Sequence, residues 1–217
     1  MSDIDKKYVD TAQIMVNGDK DAIFKLKRGE QVNLTRLDPT LRRIMVGVGW
    51  DVIGFENEAP DLDLSLFTLD KNNKTRVDED FIFYNNLKSA EGAVQHMGDN
   101  RTGAGDGDDE NCLIDLMSLP FEVYRVAFVI SIYEADVRNQ TFHSVRNCFL
   151  RIVNDENGVE MMRFELDQEF KEVPNASAVT VGFLERNGPN WFFEGVGSMT
   201  AGGLKEIATN YGIVVAY

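Results

Sequence analysis

Short apolar runs that alternate between two faces, cut apart by turn-forming clusters, constrain this chain more than any other feature. Segment 62–69, LDLSLFTL, puts Leu62, Leu64 and Leu66 on one face and Asp63 and Ser65 on the other. That period of two belongs to a strand, since helical apolar positions recur every three to four residues. Comparable runs stand at 44–50 (IMVGVGW), 81–84 (FIFY), 112–116 (CLIDL), 123–133 (VYRVAFVISIY), 148–153 (CFLRIV), 160–166 (EMMRFEL), 178–184 (AVTVGFL) and 191–196 (WFFEGV). Asp-Glu-Asn-Gly at 155–158 and Arg-Asn-Gly-Pro at 186–189 read as hairpin turns in which glycine supplies a positive φ. Many short strands so punctuated predict an all-β fold, a sandwich or a barrel. No repeat of propeller or solenoid period is present.

Helices are few. Residues 203–211, GLKEIATNY, bring Leu204, Ile207 and Ala208 to one face, and Gly212 can close the end. A short helix is expected near 139–146 (NQTFHSVR), with Asn139 as its cap. Residues 1–23 are polar, with clustered charges and one short apolar stretch from Ala12 to Val16. They read as an extension contributing at most one edge strand, with the domain proper at 24–217.

Charge narrows the partners. With 36 acidic against 22 basic residues, the net charge is −14, which disfavours nucleic acid and anionic membrane surfaces and suits multivalent cations or basic partners. No apolar run reaches the roughly 18–20 residues of a membrane span. The start, MSDIDKKYVD, lacks the basic and apolar regions of a signal peptide, so a cytoplasmic location is expected. Cys112 and Cys148 each lie in an apolar run and read as buried, reduced thiols.

The densest chemistry is at 98–110, GDNRTGAGDGDDE, where five of thirteen residues are acidic and four are glycine. Carboxylates this close repel one another. The loop is therefore either a solvated acidic segment or one ordered by a cation. Calcium suits the composition, because it accepts six to eight oxygens in flexible geometry and glycine lets the backbone turn carbonyls inward. Magnesium demands stricter octahedral geometry, and neither His96 nor His143 stands at zinc-ligand spacing from a cysteine. Asp61 and Asp63 share the polar face of one expected strand, and Asn85 and Asn86 end another, FIFYNN, with amide oxygens. From Asp61 the EF-hand pattern fails at Ser65, Leu66 and Asn72. A single GAGDGDDEN cannot build a stacked β-roll.

These stretches resemble the TerD-type tellurium-resistance and stress-response domain. The resemblance rests on KRGEQVNLT (27–35), VGVGWDV (46–52), DLDLSLFTLD (61–70), DFIFYNNLKS (80–89), GDNRTGAGDGDDE (98–110), VAFVISIYEA (126–135), QTFHSVRNCFLRIVN (140–154) and AGGLKEIATNYGI (201–213). It implies a two-sheet β-sandwich that binds one or two calcium ions through loops at one end. The implied metal ligands are Asp61, Asp63, Asn85, Asn86, Asp99, Asn100, Asp108, Asp109 and Glu110, with backbone carbonyls from Thr102 to Gly105 and Asp51 as a second-tier candidate. Members of the family often carry IHDA where this chain has IYEA at 132–135, so Glu134 replaces an aspartate. The implied role is calcium-dependent binding within a stress-response complex, not turnover.

Two other classes compete. A metal-dependent hydrolase would add a base, His96 or His143, to the acidic cluster. No GxSxG, P-loop or GxGxxG before a helix accompanies them. A calcium-independent scaffold would use surface aromatics, but NWFFEGV and Trp50 read as core residues, and Arg101 can serve the loop or an anionic partner.

Overall fold

The computed structural model describes residues 7–8, 23–52, 59–98, 107–173 and 175–214. In chain order the strands are β1 (Lys7–Tyr8), β2 (Phe24–Leu26), β3 (Glu30–Asn33), β4 (Arg43–Val52), β5 (Leu62–Leu69), β6 (Phe81–Ile82) and β7 (Val94–His96). They continue with β8 (Glu110–Asp115), β9 (Arg125–Ile132), β10 (Val145–Asn154), β11 (Glu160–Glu165), β12 (Ala178–Asn187) and β13 (Asn190–Thr200). Among the described residues, four short helices join them: α1 (Leu34–Leu37), α2 (Ala135–Arg138), α3 (Asp167–Glu172) and α4 (Gly203–Tyr211).

The strands form two sheets, β1-β3-β13-β12-β9-β5-β6 and β2-β11-β10-β4-β8-β7. One face of each meets the other in a shared core. Leu62, Leu64, Leu66, Val126, Phe128 and Ile130 of the first sheet pack with Ile44, Val46, Val48, Cys112, Leu150 and Ile152 of the second. The fold is thus a β-sandwich. Lys7–Tyr8, within the expected amino-terminal extension, pairs in parallel with Glu30–Gln31 at one edge.

All eight residues of β5 are buried, although its sequence alternates apolar and polar. The reason is α4. Its Ile207 and Ala208 pack with Phe67, Leu69, Ala127 and Val129 on the outer face of the first sheet, so that face is a second small core. Gly212 ends α4 at φ 101, and its N–H closes onto the last turn, as expected from the sequence. Gly158 and Gly188 take φ 72 and 58 in the β10–β11 and β12–β13 connections, as the hairpin turns require.

Two local expectations are corrected. Residues 139–146 do not form one helix. Asn139, at φ 52, ends α2, a 3-10 turn occupies Phe142–Ser144 with Thr141 as its cap, and Val145 already begins β10. FIFYNN is not a strand to its end either. β6 stops at Ile82, and Asn86 closes a tight turn with Phe83.

Candidate functional site

The acidic run at 108–110 enters β8 beside the end of β4, and its three carboxylates diverge. Asp108 lies over the outer face of the second sheet. Its Oδ1 accepts from Arg151 Nε at 2.7 Å and its Oδ2 from Arg151 Nη2 at 2.9 Å. This placement needs Gly47 beneath it, because a Cβ there would stand 2.1 Å from Asp108 Oδ2. Arg151 Nη1 also donates to Glu160 Oε2 at 2.9 Å, and Glu160 in turn accepts from Arg163 Nε at 2.7 Å. Arg163 stacks 4.1 Å from the Phe149 ring centroid. The result is a charged lattice across β10, β11 and the entry to β8.

Asp109 is 8% exposed, and its Oδ2 accepts the Trp50 N–H at 2.9 Å. Its own N–H donates to Val48 O at 2.8 Å. Burial pushes the Asp109 carboxyl up from its usual range; the Trp50 N–H opposes this, while the neighbouring charges of Asp51 and Asp108 add to it. Asp51 is exposed at the end of β4 and accepts from Asn147 Nδ2 at 2.6 Å.

Glu110 turns inward and crosses to the other sheet. Its Oε2 accepts the Leu64 N–H at 2.5 Å, and His96 Nε2 stands 3.7 Å away. His96 Nε2 is also 3.2 Å from Leu64 O, and its Nδ1 faces the Gly98 N–H at 3.1 Å. With Nδ1 accepting, the ring proton sits on Nε2, aimed at Leu64 O. Glu110 and His96 therefore serve both outward backbone groups of Leu64, at a point where β6 pairs only with Leu66 and Phe67. His96 is a buried tie between sheets, and this role accounts for its placement.

The other expected ligands gather on the first sheet. Asp63 is 6% exposed on the α4 side of β5, opposite Ser131, and lines a cleft of about 380 Å³ with Tyr84, Tyr133, Glu134 and Ser177. Asp61 precedes the strand, and its carbonyl accepts the Tyr133 N–H at 2.8 Å. The charge of Glu134, together with its hydrogen bond, pushes the Tyr133 phenol up, with Asp63 adding to the effect. Asn85 is exposed, while the Asn86 side-chain amide donates to Phe81 O at 2.6 Å and shapes its turn. Tyr84 meets Tyr133 edge-on at 5.9 Å, which sets the Asn85–Asn86 turn beside the Asp61–Asp63 end of β5.

Asp99, Asn100, Arg101, Thr102 and Gly105 lie outside the described residues. Among the described residues, no three His, Cys, Asp or Glu side chains stand close enough to form a metal cluster by themselves. The donor chemistry nevertheless fits a hard cation. Burial raises the Asp109 carboxyl at the root of the loop, the charges of Asp51 and Asp108 add to it, and a cation would favour the charged form against both.

The family model for the TerD domain matches residues 23–211. The chain belongs to the TerD family. Among its TerD relatives, the tellurium resistance protein TerD of Serratia marcescens is 43% identical over 188 residues, 87% of this chain and 96% of that protein. General stress protein 16U of Bacillus subtilis (strain 168) is 42% identical over 193 residues, 88% of this chain and 98% of that one. The crystal structure of a TerD homologue from Streptomyces coelicolor A3(2) superposes with a TM-score of 0.62. At 23% identity, and covering 77% of this chain and 95% of the other, it speaks for the TerD fold alone.

Sequence reading passed over Arg151, Arg163 and Glu160. The alternation of faces does not give their arrangement: Arg151 stands directly across from Arg163, and a register shift at Ile152/Val153, with Glu160 opposite Val153, brings the Glu160 carboxylate to both guanidinium groups. Cys112 and Cys148 are both buried and free, with burial pushing each thiol up, as expected for inert core cysteines. No helix among the described residues is long and apolar enough to cross a membrane.

Proposed function

We propose that this TerD-family protein is a cytoplasmic calcium-binding stress-response factor that acts by binding, not by turnover. The observation that carries the reading is the buried Asp109 carboxyl at the loop root, raised chiefly by burial and to a lesser degree by the charges of Asp51 and Asp108. A carboxylate held in that setting gains from a divalent cation what it loses by desolvation. The donors proposed are Asp109 and Asp51 beside the loop, Asp99, Asn100 and the Thr102–Gly105 carbonyls within it, and Asp61, Asp63 and the Asn85–Asn86 turn on the first sheet. Bound calcium would supply neutralising charge. The chain's own residues orient the loop and present the resulting surface to protein partners, and the net charge of −14 argues against nucleic acid as one of them.

The names carried by the relatives, tellurium resistance and general stress, support a resistance role. Calcium titration by calorimetry, with melts in calcium, magnesium, zinc and chelator, tests the reading. Ligand at a hundredfold excess over Kd should stabilise the fold by about 2.7 kcal/mol. A flat titration together with an unchanged melting temperature would refute it.

A further inference from the structure

We infer that Asp108 is the anchor of the acidic loop and not one of its metal donors, and that Arg151 is the positioning residue that holds it. This inference rests on the calcium reading above. Both oxygens of Asp108 are engaged by Arg151, at 2.7 and 2.9 Å, in a two-pronged geometry that only a guanidinium provides. Arg151 is fixed in turn. Its remaining terminal nitrogen donates to Glu160, which Arg163 holds from the other side, and Arg163 rests on the Phe149 ring. The hydrogen bonds to Asp108 and Glu160 push the Arg151 guanidinium up, and the same lattice holds the Glu160 carboxyl down against the effect of burial.

The backbone is shaped for the same end. Gly47 leaves the space that the Asp108 carboxylate fills, and at Gly49 a Cβ would stand 2.6 Å from the Phe149 ring and 2.8 Å from Gly107 O. Two glycines two residues apart in β4 thus form a floor on which residues 107–108 lie flat. Asp108 is pinned to the outer face of the sheet, while the next residue, Asp109, turns to the Trp50 N–H. The clamp fixes where the loop leaves the sandwich, and the donors are presented from that fixed point.

The decisive substitution is Arg151→Lys, which keeps the positive charge but loses the fork. Calorimetric titration with calcium chloride should show affinity falling about 10- to 100-fold, the usual cost of losing an outer support of a metal site. Gly47→Ala, which drives Asp108 off the floor, should reproduce that loss. Asp108→Asn combined with Arg151→Lys should be no worse than Arg151→Lys alone. The Arg151 Nε–H resonance should persist, protected from exchange, at saturating calcium. If Asp108 were a donor that Arg151 merely sequesters, Arg151→Lys would tighten calcium binding and the Nε–H resonance would lose its protection on titration. Either result overturns the assignment, as does an unchanged affinity in both Arg151→Lys and Gly47→Ala. A wild-type protein that gives no calcium heat refutes the calcium reading itself, a result distinct from any of these.

Discussion

Replacing Glu110 with alanine tests whether this residue is foremost a tie between the sheets. The substitution removes the acceptor of the Leu64 N–H, a buried contact of 2.5 Å, and deprives His96 of its acidic neighbour at 3.7 Å. A hydrogen bond to a charged group contributes about 1.5–3 kcal/mol, and leaving a buried donor without a partner costs on the order of 1–3 kcal/mol. These overlap, because the same N–H is counted in both. Loss of the side-chain methylenes from a site that is 1% exposed adds roughly 1 kcal/mol. The expected total is about 3 kcal/mol. For a domain of this size that corresponds to a fall in melting temperature of roughly 6–12 °C. The measurement is a melt and a urea titration in chelator, so that no metal contributes. Glu110→Gln, which keeps a carbonyl for Leu64, should recover much of the loss. If Glu110→Ala melted within about 1 °C of wild type in chelator, the cross-sheet tie would not be a source of stability and the reasoning would fail.

Three further outcomes follow from the same structure. Asp80→Asn should cost about 3 kcal/mol, because the buried carboxylate accepts from Thr68 Oγ1 at 2.6 Å and from Arg76 through N, Nε and Nη2. Burial alone would raise Asp80, but those hydrogen bonds outweigh it and hold the carboxyl low; its stabilisation is therefore present above the unfolded pKa near 4 and fades as pH falls through the folded value, narrowing the gap to Asp80→Asn in acid melts. Asp109 has the opposite sign: its raised carboxyl stabilises the fold least at neutral pH, so in chelator Asp109→Asn should match or exceed wild-type stability, by a margin that widens as pH rises, while calorimetry shows weakened calcium binding. A loss above about 1 kcal/mol in chelator would contradict that sign. Gly182→Ala should cost about 2–3 kcal/mol in urea titration, because a Cβ would stand 2.2 Å from the Glu194 carbonyl where β12 shifts register.

The strands were legible because a half-buried strand writes its face into every second residue. LDLSLFTL is β5 residue for residue, and 203–211 is α4 with its glycine stop. What could not be read was which outward face another element covers. Asp63 and Ser65 looked solvent-facing, yet α4 closes over that side of the sheet. Helix α3 was missed because six residues, DQEFKE, with only Glu169 and Phe170 buried, leave too short a run for a helical period to register. The acidic run was legible by composition, and the directions of its side chains were not. Asp108, Asp109 and Glu110 are neighbours in sequence, but the floor at Gly47, the Trp50 amide and the Leu64 edge draw them to separate partners. Such divergence depends on what lies opposite each residue, which no local pattern encodes.

Capping Leu64 with side chains has a consequence for solubility. Among the described residues, β5 meets no neighbouring strand on its outer side beyond Leu66, and LDLSL is an apolar, β-prone segment whose N–H and C=O groups on that edge could otherwise pair with another chain. Glu110 and His96 occupy both of those groups at Leu64, so an incoming strand finds its first hydrogen bonds already taken. The acid and the imidazole thus act as a plug that ends the sheet. A chain stripped of them would be exposed to intermolecular sheet growth well before it lost its fold.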